Sequence, residues 1–81
     1  MVAHLCITGF LPGDNEDTSL KYELKVSPVF EQSVVSLLGH KSLNTMASGE
    51  WLLTKYQAAQ ISAVIGKPVP LDLDVFIGVE T

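Results

Sequence analysis

The chain has 81 residues, 47% of them hydrophobic, and a net charge of −4 from nine acidic residues against five lysines. It contains no arginine and one cysteine, Cys6. A disulfide within the chain is therefore excluded. Direct DNA or RNA binding is disfavoured, because arginine supplies the bidentate contacts to phosphate and guanine and scattered lysines make a poor footprint on an acidic protein.

Residues 1–81 read as a single domain. A domain of this length buries only about 60% of the surface of its unfolded chain. A generous apolar fraction without disulfide staples therefore predicts a homo-oligomer. No stretch approaches the roughly 18 apolar residues that span a bilayer. The opening MVAHLCITGFLPG lacks the charged start of a signal peptide, and a lone cysteine suits a reducing compartment. The expectation is a soluble cytoplasmic protein that does not engage membranes.

Val2–Leu11 is rich in β-formers and stops at the turn signal Pro12-Gly13. It predicts a first strand with Ala3, Leu5 and Ile7 on one face and His4, Cys6 and Thr8 on the other. Both faces are fairly apolar, as in the middle of a sheet. The acidic loop PGDNEDTS, Pro12–Ser19, leads to LKYELKV, Leu20–Val26. Here Leu20, Tyr22, Leu24 and Val26 alternate with Lys21, Glu23 and Lys25, a half-buried strand. The two strands are expected to pair antiparallel.

SPVFEQSVVSLLG carries both ends of a helix. Ser27 suits the N-cap, Pro28 the first turn and Gly39 the left-handed stop. Phe30, Val34, Leu37 and Leu38 make its apolar stripe. His40 and Lys41 follow at the negative end of the helix dipole. Ser48-Gly49 reads as a turn and Glu50–Leu53 as a short strand or a lead-in to a helix. Thr54 caps the second helix, KYQAAQISAVIG, with Ala58, Ile61, Val64 and Ile65 inward and Gln57 and Gln60 outward. Gly66, Pro68 and Pro70 end it. LDLDVFIGVE, Leu71–Glu80, alternates most clearly of all, with Leu71, Leu73, Val75, Ile77 and Val79 against Asp72, Asp74, Phe76, Gly78 and Glu80. The fold class is α+β, in the order β-β-α-(β)-α-β, with a three- to four-stranded, mainly antiparallel sheet covered on one face by two helices.

Candidate chemistry is sparse. In Gly39-His40-Lys41-Ser42 the histidine is a residue type suited to general acid–base work, and Ser42 and Asn44 are able to contact an anion. The plainer reading is a helix end followed by a solvated loop. The segment LLGHKS, Leu37–Ser42, is similar to a segment of the viral ring nucleases, where an aliphatic pair precedes Gly-His-x-Ser. That resemblance implies a homodimeric α+β anti-CRISPR enzyme that cleaves cyclic oligoadenylate, with His40 as the catalytic residue. The family continues as helix directly after the histidine and places an arginine near the phosphates. Here KSLNTMASG brings an early glycine, and arginine is absent.

His4 and Cys6 share a strand face, but two ligands fall short of the three or four of a zinc site, so no metal is expected. Asp14, Glu16 and Asp17 lack the spacing of a calcium loop. No nucleotide-binding glycine loop, CxxC or nucleophile elbow points to a cofactor. Asp72 and Asp74 are expected to flank Lys21 or Lys25 of a neighbouring strand. Phe76 interrupts the polar face of the last strand, and with Trp51 it is a candidate binding anchor. The favoured function is a small acidic protein-binding module, of the kind that phage or mobile elements use to occupy a partner's basic surface. The alternatives are the ring-nuclease-like enzyme centred on His40 and a structural or assembly subunit.

Overall fold

The computed structural model describes residues 3–13, 17, 19–40, 46 and 49–80. The elements run β1 (His4–Phe10), β2 (Tyr22–Lys25), α1 (Pro28–Leu37), β3 (Trp51–Leu52), α2 (Lys55–Ile65) and β4 (Asp74–Glu80). The α+β expectation holds. The four strands form one sheet in the order β2-β1-β4-β3, with every neighbouring pair antiparallel. β1, apolar on both faces, lies inside the sheet, as its sequence predicts.

The centre of the sheet is the β1–β4 ladder, in register from His4 opposite Glu80 to Phe10 opposite Asp74. Side chains alternate across a strand, so this register divides the sheet into two faces. Leu5, Ile7, Val75 and Ile77 turn to one side. There they join Val34 and Val35 of α1, and Ala58, Ile61 and Ile65 of α2, in a single buried core. Both helices cover this face.

The helix ends follow from local chemistry. Ser27 takes the extended N-cap conformation before Pro28, but its side chain makes no capping bond. α1 ends as its glycine predicts. Gly39 has φ +82°, its N–H donates to Ser36 O at 3.0 Å, and the His40 N–H donates to Val35 O at 3.1 Å. These two bonds are the Schellman arrangement, which satisfies carbonyls that the helix leaves open. In α2, Thr54 Oγ1 accepts from the Gln57 N–H at 3.0 Å, and Gln57 Oε1 accepts from the Thr54 N–H at 2.9 Å. Gln57, expected to point outward, is half of this capping box.

Three further expectations are corrected. β2 begins at Tyr22 rather than Leu20, because Gly9 is the last residue of β1 that pairs with it. β4 begins at Asp74 rather than Leu71, because β1 stops at Phe10 and offers no partner beyond it. Leu73, released from the ladder, folds back over Gly9. A Cβ on Gly9 would stand 3.0 Å from Leu73 Cδ1 and 3.1 Å from Tyr22 Cβ. Lastly, Val35, outside the expected stripe, is buried beside Val34, while Phe30, Leu37 and Leu38 pack partly buried against the core as expected.

Two substitutions test this account by urea unfolding. Ile77→Ala, at a site with no solvent exposure, is expected to cost about 3 kcal/mol. Gly39→Ala places a Cβ in left-handed backbone with no other atom nearby and is expected to cost about 1 kcal/mol. Equal costs at the two sites would contradict the cap.

Candidate functional site

The face of the sheet opposite the helices is the candidate surface. The register places Cys6, Thr8 and Phe10 of β1 on it, with Phe76 and Gly78 of β4. Phe10 and Phe76 meet edge to face, with ring centroids 5.9 Å apart. Such a contact is favourable beyond the area that it buries. Leu52 of β3, opposite Phe76 in the ladder, extends the apolar strip toward the sheet edge and is largely exposed.

Carboxylates border the aromatic pair. Asp74 stands opposite Phe10 at one end of the ladder, and Glu80 stands at the other. The Glu50 side chain lies across Gly78, with its Cγ 3.1 Å from where a glycine Cβ would stand. Glu23 and Lys25 of β2 share the face but lie beyond β1. Asp72 and Asp74 therefore do not flank the lysines of β2: β1 separates β4 from that strand. Lys21 instead forms a salt bridge with Asp17, four residues earlier. The hydrogen bonds from Lys21 and Ser19 hold the Asp17 carboxyl well below the usual carboxylate range.

The two aromatic anchors separate. Phe76 is half-buried on the open face, whereas Trp51, paired with Ile77, turns to the helix side. Trp51 packs against His40, with ring centroids 5.0 Å apart and planes inclined by 55°. The Schellman end of α1 leads the chain to His40, which meets Trp51 on the helix side. Among the described residues, one cavity lies among Leu53, Ala58, Pro70 and Val75 and another among Lys25, Phe30 and Lys67; His40 lines neither. Ser42 and Asn44, like Asp14 and Glu16, lie outside the described residues.

Cys6, like Gly78 opposite it in the ladder, is buried on this face. Burial pushes its thiol up to about 11, helped by the carboxylates of Glu80 and Glu23 and opposed by Lys25. The nearby His4 Nε2 is shielded from solvent and lacks a hydrogen-bond partner among the described residues. No group of three His, Cys, Asp or Glu is placed to hold a metal ion among these residues, and no helix among them is long and apolar enough to cross a membrane.

Phe10 was not singled out by the sequence. The only signal for it was its parity with Cys6 and Thr8, and its aromatic partner lies 66 positions away. Comparison of the chain with family models, with curated proteins and with solved structures gives no match in any of the three.

The thiol provides a test. A protonated, buried sulfur is a poor nucleophile. Cys6 is expected to resist iodoacetamide at about pH 8 in the folded protein and to react readily in denaturant. Because the folded value lies above the unfolded one of 9.0, the thiol's contribution to stability falls as the pH rises from 9.0 toward about 11. Cys6→Ala is expected to flatten the pH dependence of melting in that window. Rapid alkylation of the folded chain would contradict the burial.

Proposed function

We propose that the chain is a protein-binding module whose helix-free sheet face occupies a basic surface on a partner. The observation that carries this reading is one juxtaposition. The Phe10–Phe76 pair, which neither helix covers, shares its face with Glu50, Asp74 and Glu80. An apolar centre with a charged rim is the ordinary anatomy of a protein interface. The carboxylates would steer a basic partner into place, and the aromatic pair and Leu52 would supply the desolvated contact.

Surfaces that otherwise hold nucleic acid have the complementary charge. An acidic chain seated on one would act as an inhibitor, in the manner of small phage or mobile-element proteins. Its setting in this reading is the cytoplasm, where a buried free thiol such as Cys6 stays reduced. Trp51 plays no part on this face, because it belongs to the helix side.

The immobilised chain is expected to retain a protein with a basic surface and to release it as ionic strength rises. Phe76→Ala is expected to weaken retention by about tenfold or more, the scale of a buried aromatic anchor. The double variant Glu50→Lys/Asp74→Lys is expected to abolish it while the chain still folds. Retention unchanged in both variants would place the contact elsewhere. Cleavage of cyclic oligoadenylate by the wild type, lost in His40→Ala, would replace this reading with that of an enzyme.

A further inference from the structure

β2 ends the sheet, and among the described residues no strand pairs with its second edge. Val26 donates its N–H to Leu5 O of β1 at 2.9 Å. In an antiparallel ladder the backbone groups of successive residues point alternately to the two sides. Those of Leu24 and Val26 therefore point to β1, and those of Glu23 and Lys25 point to the free edge. Both side chains are exposed, and neither forms a salt bridge among the described residues. An open edge is a template for another strand unless its charges repel the newcomer.

Here the charges do the reverse. An isologous dimer across this edge needs a two-fold axis perpendicular to the sheet, so facing residues must share parity. Three registers then use the outward groups of β2. Centred on Glu23, the pairing sets Glu23 against its own copy. Centred on Lys25, it sets Lys25 against its own copy. Centred on Leu24, it sets Glu23 of each copy against Lys25 of the other, twice. Only the last register is free of like-charge contacts, and cross-strand opposite charges favour pairing.

We propose that two copies of this chain pair antiparallel through β2, centred on Leu24. Glu23 and Lys25 of each copy exchange backbone hydrogen bonds with Lys25 and Glu23 of the other. Leu24 meets Leu24 across the axis on the helix side, and Tyr22 faces Val26. The product is one continuous eight-stranded sheet. The other surfaces suit a second copy less well. β3 is only two residues long, and the face opposite the helices carries Glu23, Glu50, Asp74 and Glu80 against Lys25, an acidic excess that a second copy would share. The dimer does not rest on the binding-module reading: it uses the opposite edge of the sheet, and its variants leave Phe76, Glu50 and Asp74 intact.

Sedimentation velocity on the full chain tests the register. The wild type is expected to be dimeric, and the dimer is expected to weaken as salt is added. Glu23→Lys places lysine opposite lysine, and Lys25→Glu places glutamate opposite glutamate, so each is expected to be monomeric while melting as a folded protein. An equimolar mixture of the two restores both opposite-charge contacts and is expected to dimerise. As an independent measurement, Leu24→Cys in a Cys6→Ala background is expected to form a covalent dimer on oxidation, because residues facing across the axis approach to about 4.5 Å between Cα atoms. Glu23→Cys in the same background is expected not to. A monomeric wild type, single-charge variants that dimerise as well as the wild type, or cross-linking through Glu23→Cys in preference to Leu24→Cys would overturn the proposal.

Discussion

The β1–β4 ladder is the constraint on which the rest of the structure depends. It joins two strands that lie at opposite ends of the sequence and pairs seven residues of each. A slip of one residue would turn every side chain of a strand to the other face. Leu5 and Ile7 would leave the core if β1 slipped, and Phe76 would enter it if β4 did. The register is held because Leu5, Ile7 and Ile77, with no exposure at all, fit between the sheet and the two helices in one orientation only. The same register, with no further information, assembles the open face.

The helices are fastened to this ladder by polar contacts as well as by the core. The Leu5 N–H donates to Glu31 Oε2 of α1 at 3.1 Å, which ties the start of the central strand to the helix above it. The Tyr22 hydroxyl donates to Pro68 O at 3.1 Å, linking β2 to the segment after α2. At the far end of α1 the glycine stop turns the chain so that His40 packs on Trp51. The residue that reads as a catalytic candidate in the sequence is thus in ring contact with Trp51.

The two edges and the two faces of the sheet have different characters. β3 is short and carries a bulky, exposed tryptophan and leucine. β2 is longer, and its exposed charges alternate in sign. One face is filled by both helices, and the other presents an aromatic pair beside carboxylates. In a domain of about nine kilodaltons, the proposed self-contact at the β2 edge and the proposed partner contact on the helix-free face would use different parts of the sheet.

By itself the sequence determined what is local. The two-residue alternation of LKYELKV and DVFIGVE, the caps at Thr54, Gly39 and Gly66, and the proline at the start of α1 each act within a few residues of their cause. They were sufficient for the element order and the α+β class. The absence of arginine and the surplus of carboxylates were equally plain. Tertiary structure decided everything that depends on which strands are neighbours: that β1 stands between β2 and β4, that Asp74 faces Phe10 rather than a lysine, that Phe76 finds Phe10, and that Trp51 finds His40. Strand pairing joins residues far apart in the chain, and its energy comes from burial and backbone hydrogen bonds that any of several orders would supply in part. No local pattern distinguishes among those orders, so the candidate surface became visible only once the ladder had closed.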